Sequence, residues 1–235
     1  MFTGIVELMG TVAEYNPLDN TASGGQGVSV TIKGASAILG DCHIGDSIAC
    51  NGICLTVTEF DSDSFKVGIS PETIARTDVA SWLPGTRINL ERAVSQEVRF
   101  GGHYVQGHVD TVATMTSVQP EGNSLVFGFQ LRDHKYSKFI VEKGFACIDG
   151  TSLTVTNVDD DGTFYIAMIK HTQEVVVMPL KKIGALVNIE VDLTGKLIEK
   201  QITHALHNQF DNKNSTLNKL IESIIDEKVK KYLGK

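Results

Sequence analysis

Over the first 190 residues apolar positions recur at every second residue in short spans, the period of a strand with one buried face. The spans "VSVTIKG" at 28–34, "LTVT" at 55–58 and 153–156, "GTRINLERAV" at 85–94 and "GALVNIEVDL" at 184–193 are β-branched or alternating. Turn clusters such as "NPLDN", "SGGQG", "NG", "PEGN" and "DDDG" separate them. A short helical turn is expected before each "LTVT", in "GASAILGD" and "DHKYSKFIVEKG". From Ser215 the period changes: Leu217, Leu220, Ile221, Ile224, Ile225 and Val229 lie three and four apart, as on a helix. Asn214 or Ser215 can cap its start, and Lys228, Lys230 and Lys231 suit the negative end of its dipole. One apolar stripe must be covered, by the chain's own body or by another copy; the second reading is favoured because the strand-rich part looks complete without it.

The strand-rich part is written twice. Leu55-Thr56-Val57-Thr58 returns as Leu153-Thr154-Val155-Thr156, an offset of 153 − 55 = 98. Phe65 returns as Phe164 and "NLE" at 89–91 as "NIE" at 188–190, both at 99, and "GTV" at 10–12 is matched to "DTV" at 110–112, at 100. Register is expected to hold with gaps of one or two residues. The expected domains are 1–97, 98–200 and a helical segment 203–235. Many short strands in each half point to a small closed barrel, which leaves no exposed sheet edge.

Composition narrows the classes. A net charge of −7 leaves no basic stripe for a phosphate backbone, so no nucleic-acid partner is expected. No apolar run is long enough to span a bilayer, and "MFTGIVELMG" lacks a basic leader, so the expectation is a cytoplasmic protein with no membrane partner. Cys42, Cys50, Cys54 and Cys147 lack metal-ligand spacing and read as reduced thiols; no metal site is expected. Phosphate-cradling glycine motifs are lacking too.

With the repeat, the start "MFTGIVE" and the paired "CLTVT" and "SLTVT", residues 1–200 closely resemble the riboflavin synthase family, which is built on the lumazine-binding repeat. The resemblance implies an all-β fold: two tandem six-stranded Greek-key β-barrels plus a C-terminal α-helix, assembled as a homotrimer through that helix. It implies an enzyme, a transferase, with the last step of riboflavin biosynthesis as its reaction. Two molecules of 6,7-dimethyl-8-ribityllumazine exchange a four-carbon unit to give riboflavin and 5-amino-6-ribitylamino-uracil, without metal or organic cofactor. The sites lie between the N-terminal barrel of one subunit and the C-terminal barrel of a neighbour.

Residues carried over by the resemblance fall into two pockets. One takes Gly4, Ile5, Val6, Cys54, Leu55, Thr56 and the segment Gly68, Ile69, Ser70, Pro71, Glu72, Thr73. The other takes Gly107, His108, Val109, Lys143, Ser152, Leu153, Thr154 and Met168, Ile169, Lys170, His171, Thr172, Gln173. Strand backbone with threonine or serine hydroxyls matches a flat heterocycle of alternating donors and acceptors. The repeated words then bind what donor and acceptor share, and the changed words carry what differs. At 98, Cys54 faces Ser152, Asn51 faces Asp149 and Ser47 faces Phe145; at 100, Leu8 faces His108 and Phe2-Thr3 face Gly102-His103.

The donor loses a proton from its C7 methyl and the acceptor is attacked at C7, commonly by water, so groups that move protons near neutrality are required. The resemblance places Ser47, Cys54, His108 and Asp192 at functionally important positions, with Phe2 in the N-terminal segment that closes the site. An imidazole ordinarily titrates near neutral pH. His103 and His108 lie five apart, so on one extended strand they point to opposite faces, and His108 is chosen. The bland alternatives stay open: Cys54 as a small buried hydrophobe, Ser47 as a turn end, Asp192 as a solvated strand end. His43, His134, His204 and His207 read as surface residues; His171 replaces the glutamate that the family more usually carries in both halves. The main rival is a non-catalytic lumazine or flavin carrier on the same repeats. An oligonucleotide-binding barrel needs a basic groove with stacking aromatics, and a flavin reductase needs a nicotinamide domain; neither is present.

Overall fold

A computed structural model describes residues 1–96, 99–212 and 215–234. The boundary expected at 97/98 and the Asn214 cap lie outside the described residues. Among these, twelve strands close into two antiparallel barrels. The first runs β1 (Leu8–Asp19), β2 (Gly27–Lys33), β3 (Ser47–Cys50), β4 (Ile53–Phe60), β5 (Ser64–Ile69), β6 (Arg87–Arg92). The second runs β7 (Thr111–Glu121), β8 (Ser124–Leu131), β9 (Phe145–Ile148), β10 (Thr151–Val158), β11 (Phe164–Ile169), β12 (Leu186–Val191). Spatial order is β1-β2-β5-β4-β3-β6 in the first and the equivalent β7-β8-β11-β10-β9-β12 in the second, with β3-β4-β5 a meander and β2 returning beside β5, a Greek key. The expected short turns fall at Ser36–Ile38 and His134–Phe139, and two short helices, α1 (Pro71–Arg76) and α2 (Lys170–Val175), follow the fifth strand of each half.

Alternation explains the barrels. On β4 the side chains of Ile53, Leu55 and Val57 are buried inward, while Cys54 and Thr56 face out. Leu153 and Val155 on β10 do the same for the second barrel. Each fully buried aliphatic or aromatic side chain of these two cores contributes about 1.5–3 kcal/mol against its exposed state. The hairpins β3–β4 and β9–β10 turn on Asn51-Gly52 and Asp149-Gly150, all four at positive φ (45°, 78°, 46°, 79°), the backbone of a type I′ turn.

The strand registers correct the repeat at its start. Leu8 pairs with Leu90, and Thr111 with Ile189, so β1 and β7 are related by 111 − 8 = 103 rather than 100. On β2 and β8 the offset is 125 − 28 = 97, because Val28 pairs with Ile69 and Leu125 with Met168. The ten-residue stretch at 18–27 is matched by a tight turn of four at 121–124, a gap of 10 − 4 = 6 rather than one or two. The counterpart of His108 is therefore Ile5, not Leu8, and Phe2-Thr3 correspond to Val105-Gln106, not Gly102-His103.

The two barrels join about this internal two-fold. Phe2 and Val105 form a two-way backbone bridge, and their side chains bury with Ala49 and Cys147, at equivalent positions on β3 and β9. Asn89 Nδ2 donates to the Asp149 carbonyl (2.9 Å) while Asn188 Nδ2 donates to the Asn51 carbonyl (3.0 Å). Asn89 Oδ1 accepts from Val177 N, and Asn188 Oδ1 from Asp78 N. At this join the symmetry is broken by a buried charge group. Asp149 stands where the first half has Asn51, and Lys181 Nζ reaches it at 2.6 Å with Asp78 at 3.5 Å. Burial beside Asp78 pushes the Asp149 carboxyl up, to about 6, and the two carboxylates hold Lys181 above the usual lysine range against its own burial.

After Asp192 the described residues form two helices rather than the single one expected: α3 (Leu193–Asp211) and α4 (Thr216–Leu233). Ser215 caps α4 by accepting from Asn218 N (3.1 Å), and Asn218 Nδ2 takes up the last carbonyls of α3, at Phe210 and Asn212. Along α3, Leu197, Ile198, Ile202, Leu206 and Phe210 are exposed, as are Leu220, Ile224, Ile225 and Val229 on α4. No helix among the described residues is long and apolar enough to cross a membrane.

Removing one member of a buried ion pair strands the other. Lys181→Met should cost about 3–5 kcal/mol in urea denaturation, and Asp149→Asn on the same chain should restore most of it by recreating the Asn51 arrangement. An unchanged midpoint in Lys181→Met would contradict this reading.

Candidate functional site

The polar side chains predicted for the site lie on the outside of the barrels, whereas Leu55, Ile69, Leu153 and Met168 belong to the cores. Cys54 and Thr56 stand out from β4, with Ala49 and Ser47 as their cross-strand partners on β3. Beside Thr56, Gly68 on β5 is exposed and has open space where a side chain would be. Ser70 then caps α1, its hydroxyl accepting from Thr73 N (3.1 Å), and Glu72 pairs with Arg76 at 2.8 Å. Leu55 and Ile69 belong to the barrel core, so only their main chain reaches the outer face. Flat strand surface with hydroxyls at the edge is what remains. Ser47 also borders a cleft of about 220 Å³ shared with Asp46 and Arg92.

On the second barrel, Ser152 and Thr154 hold the places of Cys54 and Thr56, and Phe145 that of Ser47. Leu153 and Met168 point into the core, and Ile169, Lys170 and His171 are exposed. Ile169 replaces the capping serine, and Gln173 Nε2 instead donates to the Met168 carbonyl (2.6 Å); Thr172 is half-buried beside it. Lys143 occupies the place of Gly45, both donating their N–H to the matching strand (Val155 and Val57 carbonyls). Its φ of +63° is a conformation the first half gives to glycine. The lysine is held there at a steric cost, and its side chain is exposed.

Each groove is finished by the other half of the chain. The strap before β1, with Gly4 at φ +76°, runs to the second barrel: the Gly4 carbonyl accepts from Ser152 N (2.7 Å) and Val6 packs on that core. The strap before β7 does the reverse: the Gly107 carbonyl accepts from Cys54 N (2.8 Å) and Val109 packs on the first core. A Cβ on Gly4 would sit 2.6 Å from Ser152 Cβ, and one on Gly107 2.6 Å from Cys54 Cβ. The grouping expected from sequence is thereby exchanged. Gly4, Ile5 and Val6 go with Ser152 and Thr154; Gly107, His108 and Val109 go with Cys54 and Thr56. His108 is exposed on its strap, and its N–H donates to Glu190. Phe2 is wholly buried between the barrels, where it anchors both straps and presents no surface to a groove.

The segment carrying His103 and His108 is not a strand, so the opposite-face argument does not apply. His103, set aside on that argument, is buried with Nδ1 2.6 Å from Ser152 Oγ, its ring stacked on Phe145 at 5.1 Å and its N–H on the Thr3 carbonyl. Burial lowers its pKa below the ordinary imidazole value, and the charge of Asp192 opposes that shift. Asp192 thus lies within electrostatic reach of the His103 imidazole. The signal that could have found His103 is Gly101-Gly102 just before it, which argues for a turn. Two buried glutamates, Glu91 and Glu190, were also missed as site elements, although "NLE" and "NIE" had been read as a repeat. Burial pushes the thiols of Cys50 and Cys147 up, which makes them poor nucleophiles. No cluster of metal-ligating side chains converges among the described residues.

Two barrels of one topology, each with hydroxyls on an outer strand face and bonded to the strap of the other half, define a tandem-repeat barrel protein. The family description "Lumazine binding domain" matches residues 3–93 and 106–192. Riboflavin synthase of Saccharomyces cerevisiae is 71% identical over the whole of both chains, and that of Bacillus subtilis 40% identical over 89% of this chain and 93% of its own. The chain belongs to the riboflavin synthase family. The solved structure of LumP complexed with riboflavin shares the fold, with a TM-score of 0.72 at 23% identity, covering 82% of this chain and all of that one.

A neighbouring carboxylate raises an imidazole's pKa, so removing it must lower it. Asp192→Asn should move the His103 titration, followed by NMR of its ring proton, further to acid pH; an unmoved titration would place Asp192 out of reach.

Proposed function

We propose that this chain catalyses the dismutation of two 6,7-dimethyl-8-ribityllumazine molecules into riboflavin and 5-amino-6-ribitylamino-uracil. The observation that carries the reading is the pair of strap-covered grooves, alike in fold and backbone but different in the side chains that move protons. The reaction passes a four-carbon unit between two copies of one molecule, and its atoms balance without an oxidant: water that adds to the acceptor at C7 leaves again. Holding two rings in register can supply roughly 7–11 kcal/mol of the barrier.

The roles of individual residues follow from position. Thr56 with the exposed backbone at Gly68, and Thr154 with that at Ala167, receive the two ring systems. In the second groove, Ser152 and His103 form a hydrogen-bonded pair that can take up or return a proton, with Asp192 favouring the imidazolium. In the first groove, Cys54 and Ser47 can orient water, and His108 sits on the covering strap. Lys143 stands ready for a polar group of the second ligand. Within one chain the grooves belong to different barrels, so facing rings require an N-terminal barrel of one copy against a C-terminal barrel of another. The apolar side chains exposed along α3 and α4 suit a trimer held through the C-terminal segment. A carrier on the same repeats would need the ring-binding face but not the His103–Ser152 pair.

Mixing the purified chain with the lumazine alone should generate riboflavin absorbance; binding without turnover would leave a carrier. Cys54→Ala should lower turnover at least tenfold with lumazine affinity changed only modestly, while Cys42→Ala stays within twofold; equal effects would reduce Cys54 to packing. Truncation after Asp192 should yield smaller particles on sedimentation, and a trimer surviving it would refute the assignment of the helices.

A further inference from the structure

The repeated glutamates of "NLE" and "NIE" are not used by the chemistry above, yet both are buried and both are hydrogen-bonded to the straps. Glu91 sits on β6 opposite Ala49, and Glu190 on β12 opposite Cys147, so both face outward towards the join between the barrels. Glu91 Oε1 accepts from Thr3 N (2.6 Å) and the Thr3 hydroxyl (2.8 Å), and Oε2 accepts from Gly4 N (3.0 Å). Glu190 Oε1 accepts from Gln106 N (2.7 Å) and Oε2 from His108 N (2.9 Å). Each carboxylate therefore grips the strap of its own half beside the strap carbonyl, Glu91 at Thr3 and Gly4, Glu190 at Gln106 and His108 on either side of Gly107. That carbonyl is the one bonded across to the other barrel: Gly4 O to Ser152 N, Gly107 O to Cys54 N.

We infer that Glu91 and Glu190 are reciprocal positioning residues, each shaping the groove on the barrel opposite to its own. This rests on the proposed lumazine-binding grooves and adds to them which residue governs which. The chemistry of the donors explains the residue type. The strap groups that meet each carboxylate are all donors, and a carboxylate is acceptor-only through both oxygens. A glutamine of the same shape turns one NH2 against a strap N–H, donor to donor, and the strap must shift. Because the strap crosses over, the disturbance lands on the far barrel, whereas a general loss of packing would weaken the near groove or both.

The test is an amide-resolved NMR titration of the full-length chain with riboflavin, reading Cys54 and Thr56 for the first groove and Ser152 and Thr154 for the second. Glu91→Gln should raise the dissociation constant at Ser152 and Thr154 at least tenfold while that at Cys54 and Thr56 stays within twofold. Glu190→Gln should do the reverse. Should Glu91→Gln fail to fold, Thr3→Ala, which removes one donor from the same carboxylate, should weaken the Ser152 groove alone by a smaller factor. Weakening of the near groove, equal weakening of both, or no change in either variant would overturn the assignment. Riboflavin that moves neither set in the wild-type chain would instead overturn the grooves themselves, and the clamp with them.

Discussion

Two hydrogen bonds hold the account together: the carbonyl of Gly4 takes the N–H of Ser152, and the carbonyl of Gly107 takes the N–H of Cys54. Each is made possible by a glycine at positive φ, lying too close to the opposite hairpin to carry a Cβ. Since each strap belongs to one half and lies on the other, neither groove is complete within a single repeat. The same exchange brings Phe2 against Val105 and the two asparagines, Asn89 and Asn188, across to the opposite turns. Packing of the barrels and construction of the grooves are therefore one event in this fold.

Symmetry of this kind serves a reaction between two copies of one substrate. On the proposed function, what both rings present, a flat polar edge, is met by repeated features: a threonine on the fourth strand and open backbone on the fifth. What differs between donor and acceptor is then left to the unmatched positions, Cys54 against Ser152, Ser47 against Phe145, Ile5 against His108. The buried Asp149–Lys181–Asp78 group breaks the symmetry too, but at the join rather than in a groove. Its contribution is to the fixed relation of the barrels, where removing one charge alone costs more than replacing the whole group.

Much of this was legible in the sequence because strands write their burial with a period of two, and a duplicated half writes it twice. The barrels, the short turns before each "LTVT", and the family follow from "CLTVT", "SLTVT" and "MFTGIVE". The strap exchange was not legible. A six-residue difference in the loop at 18–27 hides the true alignment of the straps, and no local pattern says which barrel a crossing segment will reach. His103 was lost because a turn was read as a strand. The first part of helix α3, before residue 203, was lost because "EVDLTGKLIEK" continues the last strand with residues that also suit a strand end, and because its apolar stripe is interrupted by polar residues. Glu91 and Glu190 show a different gap: the repeat was seen, but a strand-end glutamate carries no sign in sequence that it will be buried against backbone donors.

The most direct measurement is a crystal complex with a non-reacting lumazine analogue. The account predicts two molecules per chain, one against Thr56 and Gly68 under the Gly107 strap, the other against Thr154 and Ala167 under the Gly4 strap. A single molecule per chain, or rings held inside a barrel or under the strap of their own half, would contradict it.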